Sequence, residues 1–109
     1  EKECKLIIPV NLKGVHWITA VVHSGRIEVY DSMKYSGVPA ILQSFFQKYY
    51  GKECKVEVGG FPKQDNLVDC GVFTLCGIED LIHNREWTFS QADMLAKRLT
   101  LARGIMAKR

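Results

Sequence analysis

The chain has 109 residues, the length of one domain with one modest core. With 47% hydrophobic and 25% charged residues it has the balance of a globular protein, not of a disordered or fibrous one. The formal charge is only +3, and its basic excess sits late, in Lys97, Arg98, Arg103, Lys108 and Arg109; this reads as a solvated helix face and argues against nucleic-acid binding.

The opening Glu1-Lys2-Glu3-Cys4 is charged and no long apolar run follows, so neither a secretory signal nor a membrane span is expected. A strand-like segment stands almost directly behind it, as in a piece of a longer chain. Leu6-Ile7-Ile8-Pro9-Val10 is apolar and β-branched. His16-Trp17-Ile18-Thr19-Ala20-Val21-Val22 is the most strand-like run, and Arg26-Ile27-Glu28-Val29-Tyr30 alternates polar with apolar. Lys13-Gly14 and Ser24-Gly25 between them are turn signals, so an antiparallel meander is predicted.

From Val38 the apolar residues Ile41, Leu42, Phe45, Phe46, Tyr49 and Tyr50 recur at helical spacing, with Gly51 as the expected C-terminal cap. Cys54-Lys55-Val56-Glu57-Val58 reads as a fourth strand, broken by Gly59-Gly60-Phe61-Pro62. Val72, Phe73, Cys76, Leu81 and Ile82 describe a second helix beyond Cys70. A last helix opens at Ser90 with Asp93 as a capping-box partner, and Met94, Leu95, Leu99, Ala102, Ile105 and Met106 supply its apolar stripe. The fold class is α+β: one domain over 1–109, a small, mostly antiparallel sheet packed by helices.

Cys4, Cys54, Cys70 and Cys76 are scattered, without the density of a disulfide scaffold or the paired spacing of a zinc site. Reduced thiols in a nuclear or cytoplasmic protein are expected, with no metal and no cofactor.

Cys70 is the candidate nucleophile. The polar run Asp65-Asn66-Leu67-Val68-Asp69 gives way to helical periodicity at Cys70, which places the sulfur in the first turn of a helix, where free N–H groups favour negative charge. A small buried hydrophobe is the alternative reading of the same cysteine. His23 and His83 read as surface residues. His16 enters an apolar strand beside Trp17, and Asp31 ends the next strand, so a hairpin brings the two to the same end. There Asp31 suits the orienting acid of a triad, a reading that gains from the pairing, with a turn aspartate in Asp31-Ser32 as the plain alternative. Gln64, six residues before Cys70, has an amide suited to join the Cys70 N–H in an oxyanion hole.

His16-Trp17, Tyr30-Asp31-Ser32 and Gln64-Asp65-Asn66-Leu67-Val68-Asp69-Cys70-Gly71-Val72-Phe73 together resemble the catalytic core of the ubiquitin-like-protein proteases. This is the SUMO/sentrin-specific family, related also to the adenoviral protease. The order His, Asp, Gln, Cys matches, as does Gln-x-x-x-x-x-Cys-Gly with Asn and Asp inside it. The resemblance implies a papain-like site in permuted order, cutting after the Gly-Gly terminus of a ubiquitin-like protein, SUMO first among them. His16 would be general base, Asp31 its orienter, Gln64 the oxyanion donor, Cys70 the nucleophile and Trp17 the cover of the diglycine channel.

Leu67 departs from the small residue the family often has there. The family domain is also longer, so the chain is expected to be its C-terminal part, acting as a monomer. An inactive truncated relative that grips a ubiquitin-like protein is the second reading. A thiol-dependent acetyltransferase, which usually carries Glu at the place of Asp31, is the third.

Overall fold

The structure, a computed structural model, describes residues 5–50 and 54–107. Three strands open it: β1 (Leu6–Leu12), β2 (His16–His23) and β3 (Arg26–Tyr30). They form the predicted meander, with Leu12 opposite His16 and His23 opposite Arg26. Lys13, Gly14, Ser24 and Gly25 all have positive φ, which a tight turn needs in order to follow the right-handed twist of its strands.

Helix α1 (Val38–Tyr50) then carries the chain to β4 (Lys55–Val58), giving a sheet of order β1-β2-β3-β4. β4 runs parallel to β3, because a helical crossover returns the chain to the end where β3 began. Periodicity had put all the apolar residues of α1 on one face. The structure divides them. Val38, Leu42 and Phe46 are buried against Ile18, Ala20, Ile27 and Val29 of the sheet. Ile41, Phe45 and Tyr49 form a second, exposed stripe, of which Ile41 and Phe45 border a groove against β1. Spacing of three and four marks one broad face, and only packing decides how much of it is covered. Gly51, the expected cap, lies outside the described residues.

Helix α2 (Cys70–Ile82) lies against β2 and β1, and Thr19 and Val21 of β2 are buried on that side. Its inner residues Val72, Phe73 and Cys76 join Phe61, Phe89 and Met94 in a second core rich in edge-to-face aromatic pairs. Gly77 is required there: a Cβ would stand 2.8 Å from the Phe61 ring. Burial pushes the Cys76 thiol up, consistent with a packing role.

Asp80, buried near the end of α2, ties down the following turn. It accepts from Arg85 Nε at 2.7 Å, from Thr88 N at 2.9 Å and from Thr88 Oγ1 at 3.0 Å. Burial disfavours its charge, but these donors prevail and hold the carboxyl below its usual range. Its stabilising effect is therefore present above the ordinary carboxylate pKa and lost as pH falls through the lower folded value. Asp80→Asn is expected to cost about 2 kcal/mol at neutral pH and to flatten the acid limb of a Tm-against-pH curve below about pH 4. A Tm unchanged at pH 7 would refute that assignment.

Ser90 and Asp93 form the predicted capping box, but it opens a 3-10 turn (Gln91–Asp93) that leads into α3 (Met94–Ala107). The expected apolar stripe of α3 is corrected by the structure. Met94 is buried, whereas Leu95, Leu99 and Ala102 are exposed. The side chains of Ile105 and Met106 lie outside the described residues. α3 is thus held near its start by one apolar anchor and, further along, by polar contacts made by Arg98.

Candidate active site

His16 Nε2 meets Asp31 Oδ1 at 2.7 Å, and both side chains are buried. Register explains the meeting. Thr19 pairs with Tyr30, so Asp31, one residue past β3, stands level with Ile18, two residues along β2 from His16 on the same face. Asp31 is also a turn aspartate. Oδ1 accepts from Met33 N at 2.9 Å and Oδ2 from Tyr35 N at 3.0 Å, so one carboxylate serves the turn and faces the imidazole at once. A carboxylate facing three N–H groups is acceptor only, which assigns the imidazole proton to Nε2 and leaves Nδ1 as the ring's acceptor. Tyr35 steadies the ring from the side, edge to face, with centroids 5.0 Å apart.

Cys70 is the first residue of α2, buried but bordering a cleft of about 720 Å³ that Trp17 and Gly71 also line. Its Sγ accepts from the Trp17 backbone N–H at 3.4 Å, which puts the sulfur against the residue adjoining His16. The N–H of a first helical residue has no intrahelical acceptor and stays available to a ligand. The Trp17 indole runs beside Gly71, where a Cβ would lie 3.6 Å from Cδ1.

Gln64 is buried at 1% exposure, not the solvated loop residue that glutamines commonly are. Its backbone N–H donates to Ser32 O at 2.9 Å, fastening the loop beside Asp31. Ser32 Oγ donates to its Oε1, which turns Nε2 the other way. There Nε2 donates to Asn66 O at 2.7 Å and retains a second hydrogen. Gln64 and His16 line one small cavity of about 270 Å³. Leu67 borders both this cavity and the Cys70 cleft, so it stands between them.

All five residues singled out in the sequence therefore converge on this end of the sheet. His83 is exposed at the end of α2, and His23 is half-buried at the far end of β2. Sequence reasoning did not find Ser32, Tyr35 or Asn66 as supports. Ser32 and Asn66 lay inside the quoted motifs, whereas Tyr35 had no local signal. Among the described residues no group of His, Cys, Asp and Glu is arranged to hold a metal ion, and Cys54, Cys70 and Cys76 are free thiols.

A mixed sheet, a helix that begins at a cysteine, and a buried histidine–aspartate pair with its histidine on the strand whose Trp17 N–H meets that cysteine's sulfur are the arrangement of the α+β thiol-protease class. Residues 2–108 match the C-terminal catalytic domain of the Ulp1 protease family, and the chain belongs to that family. The ubiquitin-like-specific protease ESD4 of Arabidopsis thaliana is 28% identical over 122 residues, covering 98% of this chain and 25% of that protein. Among solved structures, the SUMO protease Ulp1 with its catalytic cysteine oxidised to a sulfenic acid superposes with a TM-score of 0.72. The identity is 20%, over 95% of this chain and 53% of that one. The C-terminal Ulp1 protease domain in complex with Smt3, the yeast ortholog of SUMO, gives a TM-score of 0.65 at 20% identity, over 86% of this chain and 48% of that one. The fold is thus the Ulp1 protease fold, and the chain spans a quarter of the Arabidopsis protein and about half of the solved chains.

Proposed function

We propose that this chain carries the catalytic centre of a cysteine peptidase that cuts after the C-terminal Gly-Gly of a ubiquitin-like protein, SUMO being the first candidate. The observation that carries the reading is the buried His16–Asp31 pair at 2.7 Å, with His16 on the strand whose Trp17 N–H meets the Cys70 sulfur at the start of a helix. The SUMO-protease relatives, one of them solved with Smt3, support the substrate class.

The geometry supports the following course of reaction. His16 Nδ1 takes the Cys70 proton, while Asp31 holds Nε2–H and supports the imidazolium. The thiolate adds to the carbonyl carbon of the terminal glycine. The oxygen that becomes negative is met by the second N–H of Gln64 Nε2 and by the Cys70 N–H. The imidazolium gives its proton to the departing amine, the C–N bond breaks, and a thioester remains on Cys70. His16 then deprotonates a water that adds to the thioester, and collapse of that adduct returns the thiol and frees the carboxylate. Trp17 beside Gly71 makes the approach narrow, which residues without side chains pass most easily.

A SUMO protein with a C-terminal vinyl sulfone is expected to label Cys70, and parallel ubiquitin and other ubiquitin-like probes name the substrate. Absence of labelling with every probe, in the longest chain that carries this domain, sinks the reading. A chain that binds SUMO without reacting is the inert relative instead. Trp17→Ala is expected to slow the SUMO probe about tenfold and a small alkylating reagent much less. Equal loss with both would remove Trp17 from the channel.

A further inference from the structure

Asp69 directly precedes Cys70 and is buried, at 4% exposure. An aspartate at the N-cap of a helix ordinarily turns its carboxylate onto an N–H of the first turn. Asp69 holds that place for α2, yet its side chain makes no such bond. Its backbone, at φ −98° and ψ 6°, is also outside the extended region that N-caps favour. The carboxylate turns away from the helix. Oδ2 accepts from Asn66 Nδ2 at 2.7 Å and from Gln91 Nε2 at 2.9 Å, and Oδ1 accepts from Arg98 Nε. Arg98 Nη2 also donates to the Val68 carbonyl at 2.6 Å, so one guanidinium grips two successive residues of the loop. Burial opposes ionisation of Asp69, but these hydrogen bonds outweigh it and hold the carboxyl below its ordinary range.

Arg98 is exposed, as its place in a late basic cluster suggests, but its guanidinium is engaged by Asp69 and the Val68 carbonyl. It projects from a helix whose Leu95, Leu99 and Leu101 find no core, and it borders the same cleft as Cys70. The loop it grips is continuous with the rest of the site. Asn66, a partner of Asp69, also accepts from Gln64 through its carbonyl.

We propose that Arg98 is a positioning residue for Cys70: by holding Asp69 away from the first turn of α2, it reserves the helix N–H groups for the sulfur and for the oxyanion of the reaction. That Cys70 is the nucleophile rests on the function proposed above. Without Arg98, the carboxylate either rotates onto those N–H groups or stays, held by Asn66 and Gln91 alone, as an anion without its guanidinium one residue from the sulfur. Both oppose a thiolate. The other charged groups at the sulfur are few. β2 presents His16 with its partner Asp31, α3 presents Arg98, and the first turn of α2 carries no acid. β1 and the turn after it present Pro9, Gly14 and Val15 to the cleft.

The test is the pH profile of Cys70 alkylation by iodoacetamide in the full chain, with peptide mapping to separate Cys4, Cys54 and Cys76, and with circular dichroism and Tm recorded alongside. Arg98→Gln is expected to alkylate about tenfold more slowly at neutral pH, with the deficit shrinking as pH rises. Arg98→Lys keeps the charge and should stay within about threefold of the parent chain. The double variant Asp69→Asn, Arg98→Gln has no carboxylate to misplace and should also recover to within about threefold. Arg98→Gln alkylating at the parent rate, whatever its Tm, overturns the proposal, as does a double variant or Arg98→Lys as slow as Arg98→Gln. SUMO cleavage measured in parallel keeps the two readings apart. The expected alkylation pattern without cleavage sinks only the protease reading, and cleavage with an unaltered Arg98→Gln profile sinks only the role of Arg98.

Discussion

His16→Ala is expected to slow reaction with a SUMO vinyl sulfone about 10³-fold at neutral pH, against a Cys70→Ser baseline with no adduct. The serine substitution nearly keeps size, so the fold is expected to persist while the nucleophile is exchanged for a hydroxyl with little anion at that pH. The histidine substitution removes the acceptor for the thiol proton and the cation that would pair with the thiolate. Residual reactivity comes from the helix N-terminus and from whatever thiolate forms unaided. Single-turnover labelling rates, with circular dichroism to verify folding, decide the matter. A His16→Ala rate within about tenfold of the parent chain would remove His16 from the mechanism.

Asp31→Asn comes next, with an expected loss of about 10²-fold or more in the same assay. Its oxygens face three N–H groups: His16 Nε2 and Met33 N on Oδ1, Tyr35 N on Oδ2. An asparagine has only one acceptor oxygen. If that oxygen faces His16 and Met33, the amide hydrogens collide with the Tyr35 N–H and the loop is strained. If it faces Tyr35, the histidine is driven to the wrong tautomer. In either orientation the negative charge that supports the imidazolium is gone. The substitution should therefore lower stability by about 1–2 kcal/mol as well as activity. Loss of activity with an unchanged Tm would mean the loop does not depend on Asp31, and loss of stability alone would mean the imidazole does not.

Much of the site was legible because it depends on local rules. Lys13-Gly14 and Ser24-Gly25 announce turns, turns set the register of strands, and register brings His16 and Asp31 to one end. The change from a polar loop to helical periodicity at Cys70 likewise places the sulfur at a helix start. The orientation of β4 was less accessible. It depends on the path of the crossover through α1, which no local signal records.

Cys70 was ambiguous in sequence, since a free thiol in an apolar helix is more often packing than chemistry. Cys76, six residues on, is such a packing thiol. What separates them is the tertiary structure. Cys70 meets the Trp17 N–H, whereas Cys76 packs with Phe61 and Phe73 in the second core. The sequence by itself determined the strands, the helix start and the identity of the residues at the candidate site. Only the tertiary structure decided which charges accompany them: Arg98 reaches Asp69 from 29 positions away, and Gln64 owes its orientation to Ser32, 32 positions before it. Periodicity reports which way a side chain faces along its own element. A hydrogen bond between distant segments is set by how those elements pack, and that is settled only when the whole chain folds.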